Sequence, residues 1–323
     1  MGLLTASALA QATEELELAL PRSPTVTARL GGRADSAQGS AFQGKVTWAP
    51  NGALTLFLAG DRSSLASTNQ APSPKGDTTV TTTTSLGGAY AWGLLELGLQ
   101  IDHSDMSDLL SSRRYYLQPA LDGGSWRLGL ELSTRRTAFD RLRFVGRTLN
   151  TPTGPVTVSG YADLHVSDWG LGATWEVGGE VWRCFGAYTH YSYDAFEGST
   201  DVTRIRDAGG RVSPEVFMAL AGRLVDRFER LSTSALSRKA ALLEATASLG
   251  LEANFRRTRW VLEVSQDVDH LTGEASDTCK GTAAWKATPV FTLEVQVGAT
   301  RSAAFGTDRF AGLTLSFRTR PTL

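Results

Sequence analysis

His103, His165, His190 and His270 are the four histidines of the chain. Each stands within a few residues of a carboxylate: Asp102 and Asp105, Asp163, Asp194, and Asp267 and Asp269. An imidazole beside a carboxylate can draw a proton from water, and a water so activated can attack an ester or amide carbonyl. Asp163-Leu-His165 and Asp267-Val-Asp269 are the two spacings that come nearest to such a unit. A metal held by these groups is the weaker reading. Histidines at strand ends are more often solvated polar residues, so no catalytic residue, metal or cofactor is assigned.

A second set of residues is larger and more regular. Arg29, Lys45, Arg127, Arg183, Arg259 and Lys280 fall on the polar face of extended segments. So do Glu96, Asp102, Glu131, Glu176, Glu244, Glu252, Glu263 and Glu294. Arg135, Lys286, Arg318 and Asp267 extend the series. Opposite charges on neighbouring strands can pair and stiffen a wall. Charges lining a bore can also filter solutes. The two signs are balanced, so no ion selectivity follows from the sequence.

The elements that position these charges are strands. In Val290 to Thr300, Phe291, Leu293, Val295, Val297 and Ala299 alternate with Thr292, Glu294, Gln296, Gly298 and Thr300. Side chains alternate faces along an extended chain, so this is a two-faced strand of about ten residues, the length of a tilted bilayer-crossing strand. The beat recurs along nearly the whole chain. Leu95, Leu97, Leu99 and Ile101 alternate with Glu96, Gly98, Gln100 and Asp102. Trp126, Leu128, Leu130 and Leu132 alternate with Arg127, Gly129, Glu131 and Ser133. Leu243, Ala245, Ala247, Leu249 and Leu251 alternate with Glu244, Thr246, Ser248 and Glu252. Short turns are expected at Pro50, Gly87, Asp122, Gly178, Asn254 and Thr288, alternating with longer connections. Seven of the eight tryptophans (Trp48, Trp92, Trp126, Trp175, Trp182, Trp260 and Trp285) stand near those turns. A tryptophan belt of this kind marks a membrane–water interface.

At 323 residues with a net charge of -1, the chain shows no nucleic-acid signature. No apolar run approaches the roughly 18 residues of a membrane-crossing helix, which leaves strands as the only spanning element. Cys184 and Cys279, both inside expected strands, are taken as unpaired thiols. Residues 1–12 resemble a processed export signal, with Ala8-Leu9-Ala10 as the small-x-small cleavage site. Residues 13–23 form a periplasmic lead-in, residues 24–319 one barrel, and residues 320–323 a tail. Thr137 to Gly160 is a long connection with a candidate rim hairpin at Asn150 to Pro155. Residues 195–239 form a second long loop. Within it Ser213-Pro214-Glu215 starts a helix over 213–231, whose apolar Phe217, Leu220, Leu224 and Phe228 lie opposite Arg223 and Arg227.

About fourteen strands, an even number with both termini on the turn side, describe an all-β, antiparallel, up-and-down transmembrane β-barrel with one helical insertion in an external loop. A soluble barrel fills its interior with apolar side chains, whereas a ring this wide needs water inside and lipid outside. In strand rhythm, tryptophan belt and loop asymmetry, residues 24 to 319 resemble a Gram-negative outer-membrane β-barrel of porin-like type. The departure is the tail after Phe317, where such barrels usually end on a terminal aromatic. The resemblance implies an outer-membrane location, contact with outer-membrane lipid, folding by the barrel-assembly machinery, and a polar channel for hydrophilic solutes or polymer with the loop helix as a gate. The alternative is a structural barrel docking partners of a cell-envelope complex, its pore occluded. The Asp163–His165 and Asp267–Asp269 pairs also resemble, weakly, the rim pairs of omptin proteases, which would imply a rim hydrolase.

Overall fold

The computed structural model describes residues 24–36, 39–66, 78–106, 110–151, 154–194, 197–202, 242–270, 273–303 and 306–319. The expected signal segment and the helix over 213–231, with Phe217, Leu220, Arg223, Leu224, Arg227 and Phe228, lie outside these residues.

The described chain is β-sheet throughout. The strands are β1 (Thr25–Asp35), β2 (Ser40–Ala49), β3 (Leu54–Ala66), β4 (Thr78–Trp92), β5 (Leu95–Met106), β6 (Leu110–Asp122), β7 (Trp126–Thr151) and β8 (Gly154–Gly178). They continue with β9 (Trp182–Tyr193), β10 (Glu197–Val202), β11 (Leu243–Phe255), β12 (Thr258–Asp269), β13 (Ala275–Thr288), β14 (Phe291–Ser302) and β15 (Gly306–Arg318). Each pairs antiparallel with its sequence neighbour, except that β10 steps outside the ring and β9 pairs β11 directly. The ring closes where β1 meets β15, with Leu30 opposite Leu315. Without β10 this is a closed up-and-down barrel of fourteen strands.

The outer face is a continuous apolar belt. Leu97, Leu130, Leu262, Val297 and Leu313 are 44%, 53%, 55%, 55% and 49% exposed, whereas Glu96, Glu131 and Glu263, one register position away, are 6%, 2% and 3% exposed. A soluble protein would not expose such a surface. Polar inside and apolar outside is the arrangement of a barrel that crosses a bilayer. All seven turn-side tryptophans point outward, from Trp126 at 39% exposed to Trp92 at 78%. Cys184 and Cys279 are free and exposed.

The expected turn at Gly87 is not a turn. β4 runs through Gly87 and Gly88 and reverses at Gly93, whose φ of 62° is the left-handed value glycine favours. Gly87 faces inward under the ring of its register partner Phe57, and a Cβ there would lie 2.6 Å from Phe57 Cζ. The same device recurs where Phe185 covers Gly250, Phe310 covers Gly298 and Tyr191 covers Gly170. These glycines are packing sites inside strands.

Two further expectations change. Outer connections are not uniformly long: β5 and β6 are separated only by residues 107–109. The supposed connection over 137–160 is paired backbone, because β7 (26 residues) and β8 (25 residues) continue their ladder to Thr151 opposite Gly154. β10 adds to the edge of β8 beyond the ring, with Glu197 opposite His165. On β11 a bulge between Leu243 and Ala245 breaks the alternation. Leu243, expected on the lipid side, is instead 2% exposed and packs against Tyr191 and Tyr193.

Candidate functional site

The strand alternation carries the charged residues into the bore, and the structure sorts them by height. At the turn end lies a cavity of about 470 Å³. Arg29, Lys45, Arg127 and Arg259 line its wall from the strands, and Lys286 and Arg318 line it from strand ends. Arg256 and Arg257 reach it from the β11–β12 turn. Its carboxylates are Glu96, Glu131 and Glu294. Arg256, Arg257, Lys286 and Arg318 are exposed at its mouth, while Arg127 (4% exposed) and Arg259 (8%) are buried in its wall.

The carboxylates are engaged. Arg127 Nη2 donates to Glu96 Oε1 at 2.8 Å, and Gln118 Nε2 donates to Glu131 Oε2 at 3.2 Å. Glu294 Oε2 is shared by two guanidiniums, Arg29 Nη2 at 3.0 Å and Arg259 Nη2 at 3.3 Å. Arg259 also reaches Glu252 at 3.8 Å. Nε and Nη1 of Arg127 are buried with no hydrogen-bond partner among the described residues. Arg29 and Lys45 are direct register partners on β1 and β2, two like charges side by side, and Lys45 Nζ sits 4.6 Å above the Phe57 ring. Next to the cavity, Arg183 Nε bonds Glu176 Oε1 at 2.7 Å, and higher up Lys280 Nζ bonds Glu263 Oε2 at 2.8 Å.

In the outer half of the bore the inward side chains are buried. Asp168 on β8, its side chain fully buried, accepts from Arg114 Nη2 on β6 at 3.0 Å and from Arg135 Nε on β7 at 2.5 Å. Arg114 lies over the Tyr191 ring at 4.7 Å. Arg135 Nη2 donates to Tyr193 Oη at 3.0 Å, and Tyr193 donates on to the carbonyl of Leu243 at 2.8 Å. Inward side chains around the circumference are buried at this level, among them Thr83 (0%), Asp102 (5%), Thr137 (1%), Asp267 (3%), Thr278 (3%) and Thr300 (1%).

Arg29, Lys45, Glu96, Asp102, Arg127, Glu131, Glu176, Arg183, Glu252, Arg259, Glu263, Lys280 and Glu294 stand at register positions that alternate with the exposed apolar residues of their strands. Glu244 falls at the bulge and is half-buried. Sequence reasoning missed Arg114 and Asp168. Each adjoins a residue of opposite facing (Arg113, Trp169), and counting by twos from Leu117 or Leu171 would have placed both inside. Arg256 and Arg257 were missed because they belong to a turn, where alternation stops.

The histidines do not assemble a catalytic unit. His103, His165 and His190 point away from the bore and are exposed, whereas Asp267, expected to be solvated, is buried inside it. His270 stacks on Tyr193 with ring centroids 3.8 Å apart, and partial burial holds its imidazole below the usual pKa. Among the described residues no group of three or more His, Cys, Asp or Glu side chains could hold a metal ion.

The comparisons with solved structures return the same architecture. The monoaromatic hydrocarbon channel CymD is similar over 97% of this chain and 91% of its own, with a TM-score of 0.54 and 9% identity. The likeness is one of fold, a closed antiparallel β-barrel. The outer membrane protein OpdK of Pseudomonas aeruginosa aligns over 92% of this chain and 98% of its own at a TM-score of 0.39 and 10% identity. OccAB1 of Acinetobacter baumannii aligns over 92% and 96% at 0.41 and 10%. No protein-family model matches the chain, and no curated protein sequence does.

Proposed function

We propose that this protein is an outer-membrane channel for hydrophilic solutes, with the turn-end cavity as its periplasmic vestibule. The observation that carries the reading is the reversed sidedness: a wall apolar toward lipid encloses charged groups and a solvent-reaching cavity. A barrel built only as an anchor has no need to hold eight cationic side chains around an open space. Short turns face the periplasm and longer connections face outward, as in other barrels of this kind. The strands contact outer-membrane lipid, and insertion is the work of the barrel-assembly machinery. Fourteen strands give a bore wide enough for water and small solutes.

The test is planar-bilayer recording on protein whose folding is checked by heat-dependent gel mobility. Discrete conductance steps are expected. Folded protein that inserts and passes no current would replace the channel by the second reading, a docking barrel of an envelope complex. Two observations favour that reading: the buried Arg114–Asp168–Arg135 cluster on the wall of the outer half, and the β7–β8–β10 sheet, whose backbone ladder continues beyond the ring.

A further inference from the structure

Strands β6 and β7 carry two arginine pairs on successive rungs of one ladder, and the two pairs face opposite ways. Arg114 and Arg135 are register partners that point inward, and both donate to Asp168, the register partner of Arg135 on β8. Arg113 and Arg136 are the next register partners, and both are exposed on the outer face. On β8 the partner of Arg136 is Ser167, so the carboxylate that joins the inner pair has no counterpart outside. Among the described residues neither Arg113 nor Arg136 is paired with a carboxylate. The outward carboxylates nearest in register are Asp105, diagonal to Arg113, and Asp194, beside Ser167. On the far side of the ring, by contrast, outward Arg301 has Asp277 directly opposite. Like charges facing each other across a ladder oppose sheet pairing, so the outer pair calls for an anion that the described chain does not provide.

The outer pair stands at the height of a lipid headgroup. Arg136 lies ten residues beyond Trp126 of the turn-side belt, on the same strand. Ten residues of about 3.4 Å rise, on a strand tilted by about 40°, climb about 26 Å, against about 25 Å for the apolar band of such barrels. In the next outward row toward the turns, Ile101, Tyr115 and Trp169 are 45%, 47% and 52% exposed. The apolar belt therefore ends there on two aromatic side chains, as at a membrane–water interface. His103, exposed beside Arg113 on β5, extends the row to three adjacent strands.

We propose that Arg113 and Arg136 hold a phosphate of an anionic lipid headgroup in the outer leaflet, the lipid supplying outside the bridge that Asp168 supplies inside. Directly opposed residues keep their Cβ atoms about 4.5–5.5 Å apart, so two guanidiniums can close on one phosphate from both sides. Each offers paired N–H groups that fit phosphate oxygens. The apolar belt beneath receives the acyl chains and fixes the headgroup at this height, a second contact that a phosphate in free solution lacks.

This inference rests on the orientation that puts the short turns in the periplasm. It holds whether or not the bore conducts, because binding is read without current. Folded full-length protein in detergent, checked by heat-dependent gel mobility, is titrated with diphosphoryl lipid A and followed by native mass spectrometry. Affinity for the first lipid bound should fall about tenfold or more in the double variant Arg113→Gln, Arg136→Gln, as loss of charge-assisted hydrogen bonds requires. Arg113→Lys with Arg136→Lys should fall between the two, since an ammonium keeps the charge without the paired fit. Arg301→Gln with Arg309→Gln, exposed on the far side of the ring, should leave that affinity unchanged. Affinity unmoved by the Arg113 and Arg136 exchange, or lowered as much by the control pair, overturns the proposal. Two further probes use the wild-type protein alone, and so decide the matter even if the double variant does not fold. Lipid A stripped of its phosphates should bind at least about tenfold more weakly, and equal binding overturns phosphate recognition. Inorganic pyrophosphate at equal concentration should not displace the lipid, and displacement would reassign the site to a soluble anion.

Discussion

Replacing Asp168 by alanine tests whether the inward charges are structural pairs as well as potential filters. Its side chain is 0% exposed, and those of Arg114 and Arg135 are 3% and 2% exposed. Asp168→Ala removes the carboxylate that both buried guanidiniums share, while Arg114 keeps the Tyr191 ring and Arg135 the Tyr193 hydroxyl. Removing one partner of a buried pair costs about 3–5 kcal/mol, whereas exposed pairs contribute about 0–1 kcal/mol. Glu176→Ala is the control, because its partner Arg183 keeps 27% of its side chain in solvent. Urea titration in lipid vesicles, followed by tryptophan fluorescence and gel mobility, should place Asp168→Ala at least about 2 kcal/mol below Glu176→Ala. Replacing Arg114, Asp168 and Arg135 together by Met, Leu and Met should recover most of the loss, since apolar side chains need no counter-charge. Equal stability of the two single variants would refute the assignment of Arg114, Asp168 and Arg135 as a buried, mutually dependent cluster.

Three other outcomes follow from facing and packing. Lysine at Leu97, Leu130 or Leu293 should cost about 2–4 kcal/mol near the bilayer midplane, and lysine at Thr292 or Gln296 should cost little; equal losses at Leu293 and Thr292 in vesicle unfolding would reverse the facing. Gly250→Val puts a Cβ 2.1 Å from Phe185 Cζ, while Gly281 has no atom within 4 Å of the same position. The first change should therefore cost about 1–3 kcal/mol by overpacking and the second should be neutral or stabilising, so a comparable loss at Gly281 would sink the ring-on-glycine account. Exchanging His165 or Asp267 should produce no change in peptide or ester hydrolysis above the wild-type background, and an activity abolished by either substitution would restore the rim-hydrolase reading.

The sequence disclosed facing better than it disclosed height. Alternation is a local property: Leu95 to Asp102 carries its own two-faced pattern, and the lipid then decides which face is outside. For that reason inward charges far apart in sequence can meet, as Arg29 meets Glu294 across 265 residues of chain. Alternation fails where the backbone departs from it. The bulge after Leu243 moves that side chain from lipid to bore, and the Arg256–Arg257 turn has no strand parity to count from. Gly87-Gly88 looks like a turn because glycine has two uses, left-handed backbone and close approach, and only the Phe57 ring across the ladder distinguishes them.

Height along the axis is the property on which the functional choice depends, and it was recoverable in part. Each tryptophan near a short turn fixes a zero, and residues a few positions from it belong to the vestibule, while residues eight or more away belong to the outer half. Glu96 lies four residues past Trp92 and Arg127 one past Trp126, both at the basic end. Asp102 lies ten past Trp92 and Arg135 nine past Trp126, both in the buried layer. Counting signs without that coordinate gives a balance near zero and says nothing of how the charges are arranged along the axis. The pairing partners also depend on it, since an arginine and a carboxylate on neighbouring strands meet only if their distances from the belt agree within the stagger of the ring. Arg127 with Glu96 and Arg135 with Asp168 satisfy this at two different heights. The same distance from the belt that pairs these charges places Arg256, Arg257 and Arg318 at the exposed turn end of the bore.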